Sequence, residues 1–222
     1  MLVLALDTST AAVTAGLVEV SSTGAAALVA ERVTVDARRH GELLSPSIEA
    51  VLAEGETSAA DVRAIVAGVG PGPFTGLRVG LVSAAALADA LDIPTYAVCS
   101  LDAINTQVTG QRPVLVASDA RRREVYWAVY PSASAGDRRG PYVGRPADVD
   151  LAEVRSAAGA GAHLYANVLG VAVGEPRYPS AQALVTVARD RVAAGAPSEP
   201  LAPLYLRRPD AVESARRKTV LQ

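Results

Sequence analysis

Residue types that build metal and disulfide sites are scarce in this chain. Its single cysteine, Cys99, excludes an intramolecular disulfide and a cysteine-based zinc site, and we interpret it as a small buried hydrophobic side chain. The two histidines are His40 and His163. Leucines stand three and four residues after His40, so this histidine cannot form half of a helical metal pair. A solvated or hydrogen-bonded histidine is therefore the favoured interpretation.

Long hydrophobic runs and excess basic charge are lacking as well. No uninterrupted apolar stretch reaches the ~20 residues that a membrane span requires. Residues 1–7 have no basic region before their apolar residues, which predicts a strand rather than a signal peptide. We therefore expect a cytoplasmic protein with no membrane partner. A net charge of −2 does not fit an autonomous nucleic-acid binder, so a partner should carry most phosphate contacts if RNA is involved.

Apolar residues, by contrast, are plentiful. They make up 50% of the 222 residues, which is enough for one large domain or two small ones, each with a core. Residues 2–6 are continuously apolar, as in a central strand. Alternation at 13–17 and the apolar run at 26–33 predict two more strands. The order of three strands and then a helix indicates an α/β fold.

The chain changes direction within residues 68–80, whose sequence is Gly-Val-Gly-Pro-Gly-Pro-Phe-Thr-Gly-Leu-Arg-Val-Gly. Glycines that permit positive φ, prolines that fix φ and a threonine that can cap a helix together predict a rigid strand-to-helix elbow. The residues concerned are Gly70, Gly72, Pro71, Pro73 and Thr75. The helix N-terminus formed here would attract an anion, but a tight connector in an α/β sheet explains the same residues. The sequence is neither a Walker A loop nor a dinucleotide-binding Gly-x-Gly-x-x-Gly.

Two helices are predicted to flank this elbow. The first begins near His40 and has a largely helical spacing of apolar residues, with a kink at Pro46 or a start at Ser45. The second, residues 77–91, is apolar on nearly all sides, interrupted only at Arg78, Ser83 and Asp89. Such a helix needs cover on nearly all sides. We expect part of that cover to come from another chain, although a fully intramolecular core is the alternative.

Three motifs together carry a family resemblance. They are Leu-Ala-Leu-Asp-Thr-Ser-Thr at 4–10, Gly-Pro-Gly-Pro-Phe-Thr-Gly-Leu-Arg-Val-Gly at 70–80 and Asp-Ala-Arg-x-x-Glu-Val-Tyr-Trp-Ala at 119–128. In this order, over nearly the whole chain, they closely resemble the TsaB (YeaZ) family, whose members are similar to the catalytic subunit TsaD. The resemblance implies an α/β fold of two actin-like or RNase H-like subdomains with mixed central sheets flanked by helices. The predicted segments are 1–100 with the partner-binding helices, a reduced subdomain at 101–208 and a flexible tail at 209–222.

The same resemblance implies that the catalytic metal site is missing. Where TsaD carries Asn-His-x-Glu-x-His after the corresponding strand, residues 99–104 read Cys-Ser-Leu-Asp-Ala-Ile, with Ser100 and Ile104 at the histidine positions. Isoleucine ligates no metal, and a lone serine hydroxyl is a poor ligand for a transition ion. In the actin-like superfamily, the loop between the first two strands meets phosphate or metal. Because the metal ligands are missing here, Asp7 in that loop is expected to be structural. Tyr-Ala-Asn-Val-Leu-Gly at 165–170 also departs from the adenosine-binding pattern, so we expect no metal, no cofactor and no catalytic residue.

The resemblance further implies a role as a partner. TsaB pairs with TsaD and, with the ATPase TsaE, supports transfer of the threonylcarbamoyl group from threonylcarbamoyl-AMP to the adenosine next to the anticodon in tRNAs reading codons that begin with A. Contact with tRNA would be indirect, and a homodimer is possible without TsaD. A bundle of the two helices with equivalent TsaD helices implies partner-binding residues at His40, Leu43, Leu44, Ile48, Gly70, Pro71, Gly72, Pro73, Phe74, Thr75, Gly76, Arg78, Leu81, Ala84, Leu87 and Ala88.

The second half of the sequence is less regular. Strands are predicted at 113–118, 124–130 and 162–166, helices at 150–157 and 180–194, and a loop or loose hairpin at 132–144. Arg121, Arg122 and Arg123 fit a solvated corner better than an RNA groove. An ATP-dependent small-molecule kinase or metallo-hydrolase of the actin-like class remains the alternative function. A protease is disfavoured, because two histidines and one cysteine give no convincing triad.

Overall fold

A computed structural model describes residues 1–207 and contains two five-stranded sheets. In the first sheet the strand order is β3-β2-β1-β4-β5, with β1 antiparallel to β2 and parallel to β4. Its strands are β1 (Leu2–Asp7), β2 (Ala12–Val20), β3 (Ala26–Val35), β4 (Ala64–Gly68) and β5 (Thr95–Val98). Three helices accompany this sheet along the chain, α1 (His40–Glu54), α2 (Phe74–Leu91) and α3 (Ser100–Thr106).

The second sheet has the order β10-β9-β6-β7-β8 and is also mixed. Its strands are β6 (Val114–Asp119), β7 (Val125–Tyr130), β8 (Arg139–Gly144), β9 (Ser156–Ala158) and β10 (Ala172–Gly174). The remaining helices are α4 (Ala160–Leu164), α5 (Ala166–Leu169) and α6 (Ala181–Ala193), with short 3-10 helices at Ala59–Asp61, Ala135–Asp137 and Pro146–Asp148. The predicted α/β class with two mixed sheets is confirmed.

Both faces of the first sheet are covered by helices, which is why β1 can be apolar throughout. The helices α1 and α2 pack on one face through residues such as Leu44, Leu77 and Leu81. On the other face lies α6, through Leu184 and its neighbours. The predicted helix at 180–194 was placed in the second subdomain by its position in the sequence, but in space α6 packs against the first sheet.

After α6 the chain runs back across the first sheet, and we call residues 198–207 the C-terminal strap. The strap follows the edge strand β5, where the Glu199 N–H donates to the Thr95 carbonyl at 2.8 Å. Farther on, the Leu204 N–H donates to the Val69 carbonyl at 2.9 Å. The strap thereby covers a sheet edge that would otherwise present unpaired backbone groups. The predicted flexible tail, 209–222, lies outside the described residues.

Several local predictions were wrong. The alternative start of α1 at Ser45 is one of them, since the helix begins at His40, as first predicted, and continues through Pro46. Thr75 does not cap α2; Pro73 occupies the N-cap position, and no side chain caps the helix. No helix forms at 150–157, where turns lead into β9, and the strand predicted at 162–166 is replaced by α4 and the start of α5.

By length and hydropathy alone, α2 would also fit a membrane span, with 33% of the window buried. Its buried residues recur at a spacing of four, the spacing of one helix face: Gly76, Gly80, Ala84 and Ala88. That face packs against the first sheet, as the core helix of a globular domain does. The opposite face carries the exposed residues Val82, Ala85 and Ala86.

This division of α2 generates a matched pair of substitutions. Ala84→Arg should unfold the protein, because it places a charged side chain at a site with no exposed surface, at a cost of about 3 kcal/mol or more. Ala85→Arg, one residue away on the exposed face, should leave the unfolding midpoint within a few degrees of the parent. Thermal denaturation followed by circular dichroism compares the two. Equal midpoints would show that the faces of α2 are assigned wrongly.

Candidate functional site

The loop between β1 and β2, residues 7–10, is enclosed by the protein. Asp7 is 1% exposed, and both oxygens of its carboxylate accept hydrogen bonds. The Ser9 N–H and hydroxyl both donate to Oδ1 at 2.8 Å. The Ser100 hydroxyl donates to Oδ2 at 2.5 Å. Sequence analysis missed this pairing, which joins the end of β1 to the first residue of α3.

Glycines make this close packing possible. A Cβ at Gly68 would stand 1.8 Å from Asp7 Oδ2, so a side chain there would displace the carboxylate. Thr8 ties the loop to α2, because its hydroxyl donates to the Gly76 carbonyl at 2.7 Å and accepts from the Gly80 N–H at 2.9 Å. A Cβ at Gly80 would lie only 2.4 Å from the Thr8 oxygen. The elbow therefore needs these glycines because it is pressed against the β1–β2 loop.

The two histidines are structural hydrogen-bonding groups. His40 is buried and its Nε2 lies 2.7 Å from the Thr10 carbonyl, which confirms the hydrogen-bonded interpretation. His163 lies in α4, not in a strand, with its Nε2 at 3.2 Å from the Gly174 carbonyl. Within residues 1–207, no group of three or more histidine, cysteine, aspartate or glutamate side chains is arranged to hold a metal ion.

A second buried polar cluster connects α3 to the second sheet. Asp102 accepts from the Tyr130 hydroxyl at 2.7 Å and pairs with Arg138 at 2.5 Å. Burial raises the pKa of Asp102, an effect that Tyr130 and Arg138 oppose. Burial, with Asp102 adding to it, also raises the pKa of the neighbouring Cys99 thiol to about 12. Cys99 is therefore protonated at neutral pH and is unsuited to act as a nucleophile.

The protein has a cleft of about 300 Å³ between its two sheets. From the first side, Thr8, Thr10 and Arg38 contribute to its wall, together with the start of α2. From the second side, the wall contains Asp119 and Arg121. Asp7 does not line this cleft, since its carboxylate is turned into the hydrogen bonds with Ser9 and Ser100.

A different cavity, of about 440 Å³, lies between α1 and α2 on the outer surface. It is lined mainly by apolar side chains of both helices, including Ile48, Leu52, Leu87 and Leu91. Beside it, α2 exposes Val82, a large aliphatic residue with 66% of its surface accessible. We call the groove and the exposed side of α2 the α1–α2 face.

The predicted partner-binding residues divide into two groups by their burial. Ten are buried, because one side of α1 and of α2 packs on the first sheet and the elbow packs against the β1–β2 loop: His40, Leu44, Ile48, Gly70, Pro71, Gly72, Gly76, Leu81, Ala84 and Ala88. Of these, Ile48 also lines the groove. Others are at least partly accessible: Leu43, Pro73, Phe74, Thr75, Arg78 and Leu87. The exposed Val82, Ala85 and Ala86 are not among the predicted residues. The four-residue spacing of glycine and alanine from Gly76 to Ala88 is the signal that could have identified the buried side.

An aromatic cluster lies at the N-terminal end of α2. The rings of Phe74 and Tyr205 stack with centroids 5.2 Å apart. Arg78 lies over the Phe74 ring, 3.8 Å from its centroid, and donates from Nε to the Tyr205 hydroxyl at 3.0 Å. The C-terminal strap is thereby attached to α2, and all three side chains remain partly exposed.

Comparison with known proteins places this arrangement in a family. The structure superposes on YeaZ from Pseudomonas aeruginosa with a TM-score of 0.74 and 31% sequence identity, covering 92% of this chain and 99% of that one. The chain belongs to the YeaZ (TsaB) family. A family model described as TsaD, tRNA N6-adenosine threonylcarbamoyltransferase, matches residues 28–154, more than half of the chain. The YeaZ fold is thus related to that of TsaD.

Sequence relatives agree with this membership. An uncharacterized protein of Mycobacterium tuberculosis is 50% identical over 212 residues, which cover 94% of this chain and 93% of that protein. The tRNA threonylcarbamoyladenosine biosynthesis protein TsaB of Escherichia coli is 34% identical over 133 residues, 59% of this chain and 55% of that protein. A Mycobacterium leprae relative is longer, since the match spans 56% of it.

The buried Asp7 generates a prediction on pH dependence. Burial raises the pKa of Asp7, and the hydrogen bonds from Ser100 and Ser9 oppose this shift without cancelling it. A carboxyl group with a higher pKa in the folded state contributes stability below the unfolded value of about 4, and that contribution is lost as the pH rises through the folded value. Asp7→Asn does not titrate. The stability of the parent relative to Asp7→Asn should therefore fall as the pH rises from 4.

Urea denaturation of both proteins between pH 4 and pH 8 measures this difference. Titration of the other carboxyl groups cancels in the comparison, because both proteins share them. A difference in unfolding free energy that stays constant over this range would contradict the raised pKa.

Proposed function

We propose that this chain is a non-catalytic subunit that pairs with a TsaD-type transferase in the synthesis of threonylcarbamoyladenosine in tRNA. The transferase would move the threonylcarbamoyl group from threonylcarbamoyl-AMP to N6 of the adenosine 3′ of the anticodon. A TsaE-type ATPase would complete the assembly. Family membership supports the pathway, because relatives in Escherichia coli and Bacillus subtilis carry the name tRNA threonylcarbamoyladenosine biosynthesis protein TsaB.

The state of the β1–β2 loop supports the non-catalytic role. A carboxylate that binds a metal or a phosphate-bound ion must present free oxygen lone pairs. In this chain Ser9 and Ser100 donate to both oxygens of Asp7, and the group has almost no exposed surface. Ile104, one helical turn after Ser100, has no ligating atom. In this proposal the chemistry belongs to the partner.

The α1–α2 face is the observation that carries the proposal. It combines an apolar groove with a row of small or aliphatic exposed residues on α2. Small residues allow a second helix to approach closely, with axes about 8 Å apart. A TsaD-type partner shares the fold of this chain, so its equivalent helices offer a complementary pair in a pseudo-symmetric bundle. The same geometry would let two copies of this chain pair when the transferase is absent.

Two valine substitutions test the face. Val82→Glu should weaken binding to the TsaD-type partner, because it buries an unpaired charge in an apolar contact at roughly 2–5 kcal/mol, about thirtyfold or more in dissociation constant. The fold should be unaffected, since Val82 is exposed. Val168→Glu is the matched control, because Val168 is also an exposed valine, with 54% of its surface accessible, but it lies in α5 and outside the α1–α2 face. Isothermal titration with the partner from the same genome measures both.

Equal affinities of the Val82→Glu and Val168→Glu proteins would remove the α1–α2 face as the interface. Reconstitution tests the remaining part of the proposal. The chain alone, supplied with threonylcarbamoyl-AMP and tRNA, should yield no modified nucleoside, whereas addition of the TsaD-type and TsaE-type proteins should restore synthesis. Turnover by the isolated chain would instead favour an enzyme of the actin-like class.

A further inference from the structure

The turn between β6 and β7 has an unusual backbone. Three successive arginines, Arg121, Arg122 and Arg123, have positive φ values of 63°, 54° and 62°. This left-handed region is unfavourable for residues with a Cβ, and glycine or asparagine usually occupies it. We call residues 121–123 the arginine turn. Strained backbone of this kind persists only where the surroundings hold it, and it concentrates at functional sites.

The C-terminal strap holds the arginine turn in place. Arg207 donates from Nη1 to the Ala120 carbonyl at 3.0 Å and pairs through Nη2 with the Glu124 carboxylate. Ala120 and Glu124, which both contact Arg207, are also joined to each other, because the Ala120 N–H donates a hydrogen bond to the Glu124 carbonyl at 3.0 Å. At the start of the turn, the Arg121 N–H donates to Asp119 Oδ1 at 2.9 Å. Both ends of the arginine turn are thus fixed to neighbouring structure.

The arginine turn places positive charge on the surface beside the cleft. All three arginines are exposed, and Arg121 lines the cleft together with Arg38 from the opposite side. Within residues 1–207 Arg123 forms no ion pair, while Arg121 is loosely paired with Asp119 at 3.7 Å. In a chain with a net charge of −2, this is a local concentration of guanidinium groups.

The strap also connects the arginine turn to the α1–α2 face. Tyr205 stacks on Phe74 at the start of α2. Two residues later, Arg207 donates a hydrogen bond to Ala120 beside the arginine turn. Phe74 and Arg121 line the same cleft. A ligand held by a partner on α2 and extending past the start of that helix would therefore meet the arginine turn.

We propose that the arginine turn binds backbone phosphates of the RNA on which the complex acts, a step that rests on the proposed function. Guanidinium groups match phosphate oxygens in a bidentate geometry, and a rigid turn loses less entropy on binding than mobile side chains alone. The partner supplies most of the RNA affinity, and this chain adds a second, smaller contact. Arg207 acts as a positioning residue that holds the turn and does not itself bind the RNA.

The test measures tRNA binding by the complex of this chain with its TsaD-type partner, followed by fluorescence anisotropy across a salt series. The double variant Arg121→Glu, Arg123→Glu should weaken binding tenfold or more and lower the slope of log affinity against log salt by about 1–2. The control Arg32→Glu, Arg189→Glu reverses two exposed arginines that do not line the cleft. It should change the affinity less than threefold. Arg207→Ala should weaken binding as well, although Arg121, Arg122 and Arg123 all remain.

The outcomes separate this proposal from the preceding one. The complex itself should form equally well with the double variant, as gel filtration would show. Unchanged tRNA affinity, an equal loss in the control, or no tRNA binding by the parent complex would each overturn the RNA site and leave the pairing with the TsaD-type protein standing. Loss of the complex in the double variant would also overturn it, because the arginine turn would then be part of the protein interface.

Discussion

The hydroxyl group of Thr8 fixes the arrangement on which the rest of this structure depends. It bonds to the backbone of α2 at two points, Gly76 and Gly80, one helical turn apart. Because there are two hydrogen bonds to α2, they fix both the distance of the helix from β1 and its rotation about its own axis. Because Gly80 has no Cβ, the approach is close enough for the bonds to form. The rotation in turn decides that Ala84 faces the core and Ala85 faces solvent.

The same packing explains why the β1–β2 loop is buried. With α2 held against Thr8, the Asp7 carboxylate is buried beside Ser9 and Ser100 and accepts hydrogen bonds from both hydroxyl groups. A buried carboxylate without donors would be costly, and Ser100 supplies the hydrogen bond to Oδ2. Through these bonds the Asp7 side chain joins the end of β1 to the start of α3.

Local patterns in the sequence predicted most of the first sheet, the elbow and α6, because alternation, apolar runs and glycine–proline spacing are local signals. These local signals failed where contacts between distant segments of the chain determine the structure. The apolar residues of α2 surround the helix, so their hydrophobicity could not tell which side faces the sheet. Leu81 and Ala84, which were predicted to contact a partner, are buried in the structure. The packing of α6 on the first sheet joins segments more than 140 residues apart, for example Ala181 and Glu31. No local pattern contains that information.

The C-terminal strap shows why the two halves of the chain need not act independently. Between Leu204 and Arg207 it contacts the elbow, the start of α2 and the β6–β7 turn. A rigid segment that contacts three elements restricts their relative movement, since displacement of one must break bonds to another. Any partner that orders the start of α2 would therefore also restrict the arginine turn through Tyr205 and Arg207. A short segment that adds little to the core thus joins the surface proposed for a protein partner to the turn proposed for RNA.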